Sequence, residues 1–221
     1  MAKEICCCQD SKYRVIILKR FIHIAQLCAE WKNFNTCLEI VGGLSMTCVQ
    51  RLRKTWKNLP SKYEPMWKQL QKLMAPAQNY INYRNYFKTV DGGAFPYFGL
   101  FLSDITVIQE KYPTRIIGGK INFSKMRMLA GVLIEMQKYQ TIVSFPFGDN
   151  PTVARFLEES SATIADEEEL YALSKMCEGS EDFTMASRNG KFSLKSPRHK
   201  SRDENRSIEA FDFTPPKAGQ S

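Results

Sequence analysis

The sequence predicts an all-α fold followed by a disordered tail, on three observations. Apolar residues recur at spacings of three and four in successive segments up to about residue 178. No segment alternates strongly enough to demand a sheet. After Gly179 the periodicity stops, and Ser, Lys, Arg, Pro and Gly dominate to Ser221. The body is therefore expected over residues 1–178 and the tail over 179–221.

The elements follow in order. Between Ser11 and Lys32, the residues Val15, Leu18, Ile22, Ala25 and Ala29 form one stripe of an amphipathic helix. Lys19, His23, Gln26 and Glu30 occupy another face, which makes His23 a solvated or capping histidine. Asn35 or Thr36 can cap a second helix built on Leu38, Val41 and Leu44. Gly42-Gly43 weakens it unless another backbone packs closely there. A third helix uses Val49, Leu52 and Trp56 and ends before Pro60. A capping box from Ser61 to Glu64 or Pro65 in the first turn starts the fourth, with Met66 or Trp67, Leu70, Leu73 and Met74 inward. Tyr80, Tyr83, Phe87 and Val90 mark a short helix, and Asp91-Gly92-Gly93 a turn.

Residues 95–113 then read as a helix with Pro96 just inside its start and Pro113 closing it. Its only acids are Asp104 and Glu110, so it is too apolar for a solvated surface. Such a helix lies buried or presses against a partner. A loop with Gly118-Gly119 leads to a long helix after Ser124, with Leu129, Val132, Leu133, Met136 and Tyr139 on one face. Asn150-Pro151 starts a short helix carrying Val153, Phe156 and Leu157. Asp166 and Glu167 to Glu169 suit the positive end of a last helix, whose inner stripe is Leu170, Leu173 and Met176.

Composition narrows the function. Hydrophobic residues are 43 % of the chain, enough for a real core. The longest aliphatic run, residues 15–18, cannot span a bilayer, and the N-terminus lacks the pattern of a signal peptide. A cytoplasmic protein is expected, with recruitment to a membrane surface as a further expectation. The seven cysteines show no disulfide framework and no Cys-x-x-Cys pair, so no metal site is expected. Cys6-Cys7-Cys8 reads as helix-interior thiols, with palmitoylation as the alternative.

The net charge of +8 points to an acidic partner surface or an acidic membrane. No zinc-finger or RNA-recognition signature accompanies it, and no nucleic acid partner is expected. Residues 188–202 of the tail hold six basic residues and no acid, around a Ser196-Pro197 that phosphorylation would make negative. No nucleophile–base set or phosphate-cradling glycine loop is visible, which argues against a hydrolase or transferase.

Several motifs stand in a telling order. They are Asn33-Phe34-Asn35 before Leu38-Glu39-Ile40-Val41; Val49-x-Arg51-Leu52-x-x-Thr55-Trp56; Leu59-Pro60-Ser61-Lys62-Tyr63; Asn82-Tyr83-Arg84; Phe95-Pro96-Tyr97-Phe98-Gly99; and Ile121-Asn122-Phe123-Ser124-Lys125. In order and spacing the chain from about Ala2 to Cys177 resembles the catalytic domain of the Ras-type guanine-nucleotide exchange factors, of the Son of sevenless kind. The resemblance implies an all-helical domain with a protruding helical hairpin, its first arm over about residues 96–110. It implies a Ras-family small GTPase partner, of Ras, Rap or Ral type, and exchange without covalent chemistry. It implies no cofactor, because nucleotide and magnesium belong to the partner. Tyr97 would dock into switch two, Thr106 would face the magnesium site, and Glu110 would approach the phosphate-binding loop. Ser45, Gln50, Tyr80, Ser103 and Tyr112 fall at further contact positions.

The chain also departs from the family. Where members often carry Glu-Glu-Gly-Asn-Pro, it has Gln109-Glu110-Lys111-Tyr112-Pro113, and Met128 stands where a base is usual. Residues 1–5 resemble the middle of a family helix, so the first helices are expected to be missing. The alternative reading is a truncated, non-catalytic protein of the same fold that binds a GTPase or an adaptor.

Overall fold

Eleven helices carry the described part of the chain. A computed structural model describes residues 1–90, 93–140, 148–161 and 166–179. The expected turn at Asp91-Gly92-Gly93 falls partly, and the tail beyond Gly179 wholly, outside them. Among the described residues there are helices and isolated bridges but no strand, as the periodicity requires.

The body forms around α2, Ser11–Glu30, and α3, Phe34–Ser45. The α2 N-cap is Asp10, whose carboxylate accepts the N–H groups of Lys12 and Tyr13. The buried residues of α2 are Arg14, Leu18, Ile22, Ala25, Gln26 and Ala29, so Arg14 and not Val15 stands first and Gln26, expected on the other face, is covered. Asn33 caps α3, accepting Thr36 N–H at 3.1 Å, in place of Asn35 or Thr36. Its core residues are Phe34, Cys37, Ile40, Val41 and Leu44, while Leu38 is only partly covered. Gly43 lies beneath the Met1 side chain, where a Cβ would collide with the Met1 methyl. The close neighbour there is thus a side chain, not a backbone.

The third helix expected from the sequence is two: α4, Thr47–Gln50, and α5, Arg53–Lys57, broken at a non-helical Leu52. Val49 and Leu52 are still fully buried, so the break preserves the apolar register. In α6, Tyr63–Leu73, no side chain caps the N-terminus. Pro65 occupies the first turn, where its lack of an N–H is harmless. Both Met66 and Trp67 face inward, with the Trp67 ring 5.4 Å from that of Trp56.

The two ends of the described chain meet. The short α1, Ala2–Cys7, packs on α4 and on α11, Glu167–Cys177. Cys6 is buried there, its thiol pushed up to about 12 by burial, so it packs as an apolar group. Cys7 faces outward and Cys8 is half-covered. Leu170 and Ser174 are the buried residues of α11, and Met176 is exposed. Glu178, just past α11, accepts the backbone N–H groups of Lys54 and Thr55, each at 2.9 Å, and the Thr55 hydroxyl at 2.6 Å. The same carboxylate faces Arg14 Nη2 at 3.4 Å, while Arg14 Nε donates to Thr55 Oγ1 at 2.8 Å. Helix α10, Pro151–Ser161, begins with Asn150 accepting Val153 N–H, and Val153, Phe156 and Leu157 are exposed.

Candidate functional site

The arm is made of α8, Phe98–Lys111, and α9, Phe123–Gln137. Pro96 precedes the helix instead of entering it: Tyr97 is the N-cap, and Pro96 is fully buried. Phe95 is held extended, its N–H donating to Lys32 O and its carbonyl accepting Phe34 N–H, both at 2.9 Å. That strand-like contact ties the arm's entry to the start of α3. Leu100 is the one buried residue of α8. Just past the end of α9 the Tyr139 ring lies 4.8 Å from Phe87. The arm is therefore anchored at its root and leaves the body along both helices, which run antiparallel.

The far end is closed by a tight turn. Ile116 N–H donates to Lys120 O at 2.9 Å, and Asn122 N–H to Thr114 O at 2.9 Å. Gly118 and Gly119 take positive φ angles of 81° and 71°, which residues with a Cβ reach only under strain. Asn122 caps α9 by accepting Lys125 N–H, and its amide donates to Pro113 O at 3.0 Å. Lys125 is buried, donating to Gln109 O and Thr114 Oγ1 at 3.1 Å each. A cation there satisfies a carbonyl in the last turn of α8 and suits its negative end.

The residues singled out from the sequence fall into two groups. Ser103, Thr106 and Glu110 recur at three and four along α8, and all three are exposed. Thr106 Oγ1 donates to Leu102 O at 2.9 Å, the usual back-bond of a helical Thr. Tyr112 is half-covered at the C-cap, with Lys111 Nζ 5.7 Å from its ring. At the root, the Tyr97 and Tyr80 rings lie 6.2 Å apart. Tyr97 N–H donates to Tyr83 Oη at 3.0 Å. The Tyr97 ring folds back over Gly99, where an added Cβ would stand 2.6 Å from Tyr97 Oη. Ser45 and Gln50 form the second group: Gln50 Nε2 donates to Leu44 O at 2.8 Å, beside Ser45 at the end of α3. Among the described residues no hydrogen bond or ring contact joins this pair to Tyr97.

The structure adds residues the sequence reading missed. Helix α7, Ala77–Phe87, opens with Gln78, Asn79 and Tyr80 all at positive φ, between 49° and 59°. Three such residues in a row are strained. Arg84 braces them, donating from Nε to Asn79 O at 2.9 Å. Its other two nitrogens grip Asp104 on α8 at 2.8 and 2.9 Å, a bidentate pair. Arg84 and Asp104 lie twenty positions apart, beyond any spacing rule. Their cleft of about 580 Å³ is completed by Phe101, Val107, Ile108, Met128 and Glu135 among others. Met128 thus lines a cleft whose wall mixes apolar side chains with Arg84, Asp104 and Glu135.

Arg84→Ala is expected to loosen the arm at its root. The pair is about 28 % exposed, so its own contribution is about 1 kcal/mol. Amide hydrogen exchange in the first half of α8 should speed up several-fold, and the charge-swapped pair R84D/D104R should recover part of the loss. Equal exchange in Arg84→Ala and the parent would show that the pair does not brace the arm.

Among the described residues no group of His, Cys, Asp or Glu could hold a metal ion, and no helix is long and apolar enough to cross a membrane. Fold and site define a class: an all-helical domain with a rooted two-helix arm. The family model for the RasGEF domain matches residues 1–127, and the chain belongs to that family. It is 37 % identical over 179 residues to Ras guanine nucleotide exchange factor M of Dictyostelium discoideum, covering 80 % of this chain and 19 % of that protein. It is 30 % identical over 178 residues to mouse Ras-specific guanine nucleotide-releasing factor 1, covering 80 % of this chain and 14 % of that protein. The chain spans between about a tenth and a fifth of the length of the curated relatives it matches.

Proposed function

We propose that the chain is a guanine-nucleotide exchange factor for a Ras-family small GTPase. The observation that carries this reading is the exposed face of α8. Ser103, Thr106 and Glu110 project from an arm whose inner side is pinned to the body through Leu100 and Arg84. A narrow helix face with short side chains and one carboxylate suits a wedge. Tyr97 and Tyr80 at the root offer aromatic area next to it, suited to an apolar depression on the partner.

The mechanism needs no bond to form or break. A bound nucleotide is held largely by its phosphates and magnesium. A carboxylate brought within about 4 Å of a phosphate adds repulsion on the order of 4 kcal/mol at an effective dielectric of 20. Glu110 would supply that charge, Thr106 would crowd the magnesium site, and Ser103 and Tyr112 would extend the contact along α8. Ser45 and Gln50 would form a second, separate contact on the body. The domain would then accelerate release by binding the nucleotide-free partner more tightly than the loaded one.

Release of a fluorescent nucleotide from Ras, Rap and Ral proteins tests the reading. Glu110→Ala should slow release about tenfold, equivalent to about 1.4 kcal/mol in the barrier. Its affinity for the nucleotide-free partner should change much less. Glu110→Gln separates charge from shape and should behave like Glu110→Ala. Parent-like release by Glu110→Gln would remove the electrostatic role. Capture of a GTPase with no acceleration of release would make the chain a binder only.

A further inference from the structure

The far end of the arm is basic: from residue 111 to 127 there are five Lys or Arg and no Asp or Glu, with Glu110 just before them, whereas the acids Asp104 and Glu135 nearer the root are paired with Arg84 and Lys138. Lys125 is consumed internally, but Lys111, Arg115, Lys120 and Arg127 are exposed. Between these bases lies an aliphatic apex. Ile117 is 100 % exposed, and Ile116, Ile121 and Phe123 are largely exposed beside it, Phe123 at 73 %.

We propose that this tip is a docking surface for an anionic lipid bilayer, with Ile117 entering the interface and the four exposed bases meeting lipid headgroups. Charge selects an anionic surface. The aliphatic apex selects lipid over nucleic acid, whose phosphates and base edges give Ile117 no partner. The backbone is prepared for the move as well. The turn satisfies itself through Ile116 N–H to Lys120 O, Gly119 N–H to Ile116 O and Arg115 Nη1 to Gly119 O. A turn that pairs its own polar groups meets a smaller desolvation penalty at an interface. The surface is distinct from the Ser103, Thr106 and Glu110 face, and the inference does not rest on exchange activity.

The test uses the full chain with vesicles, no GTPase and no nucleotide. Vesicles of phosphatidylcholine alone are compared with vesicles containing about one third phosphatidylserine, a surface that attracts each nearby base by about fivefold in affinity. Hydrogen exchange reports the location, because the basic segment 188–202 can add to total binding. The expected result is protection of peptides within 111–127 on the anionic vesicles only. Ile117→Asp should abolish that protection, and K120Q/R127Q should weaken vesicle affinity about 30-fold. Ile134→Asp, at a residue 59 % exposed on α9 but far from the turn, should change neither. No protection at 111–127, equal protection on neutral vesicles, or protection that survives Ile117→Asp would overturn the proposal. It would also fall if Ile117→Asp left vesicle protection intact while weakening capture of a nucleotide-free GTPase, which would make the tip a protein contact.

Discussion

Tyr97→Ala is expected to weaken binding of the nucleotide-free GTPase by about 30-fold or more, about 2 kcal/mol, as loss of a central aromatic at an interface commonly does. Tyr97 is only half-covered in the free domain, so its ring has area left to bury. The backbone bond from Tyr97 N–H to Tyr83 Oη survives the substitution, which limits damage to the root. That bond matters because burial holds the Tyr83 phenol protonated, fixed among the rings of Phe34 and Phe87. Gly99→Ala is a second probe. Its new methyl would occupy the space of the Tyr97 ring and push it aside without deleting it. Titration by fluorescence anisotropy would measure both, with thermal unfolding as the control. Parent-like affinity for both variants, with folding intact, would remove Tyr97 from the interface.

Glu178→Ala should have the largest effect on stability. The carboxylate does two jobs. It takes the place of an N-cap for α5, whose own N-cap residue Leu52 has no polar side chain, and it faces an Arg14 that is 1 % exposed. Removing it leaves a buried guanidinium without its counter-ion, which costs about 3 kcal/mol or more. For a chain of this size that is a fall of about 6–12 °C in Tm. A fall of under about 2 °C would show that Arg14 is adequately held by Thr55 and the Cys8 carbonyl alone.

The same group gives a pH dependence. Burial opposes the charge on Glu178, but the Thr55 hydroxyl, the two N–H groups and Arg14 outweigh it, so the carboxyl lies below its ordinary value of 4.5. A depressed carboxyl stabilises the fold above its unfolded pKa and loses that contribution as pH falls through the folded one. The stability gap between parent and Glu178→Ala should therefore be full at pH 7 and close progressively below about pH 4.5. A gap that is constant from pH 7 to about pH 3 would mean the carboxylate is not the stabilising group.

Much of this molecule was legible before folding. The three–four spacing marked the helical segments from α2 to α11, with α4 and α5 read as one, because a helix repeats every 3.6 residues whatever surrounds it. Asp166 before Glu167 followed from local backbone rules, and of the two starts open for α6 the structure takes Pro65 in the first turn over the capping box. The order of short motifs pointed to the family, and that resemblance, not spacing, singled out Ser103, Thr106 and Glu110.

Other features depended on contacts between distant segments. Spacing put Val15 at the head of the inner stripe of α2, but Arg14 stands there because Thr55 and Glu178, far along the chain, supply its partners. Arg84 and Asp104 meet only because α7 and α8 fold against each other, and the three left-handed residues they brace have no sequence signature. Periodicity showed that α9 has an apolar face but not what would cover it, and Leu133 and Ile134 stay exposed. A repeat in the sequence records local geometry; burial and charge pairing depend on which segments meet, and that is set by packing of the whole chain.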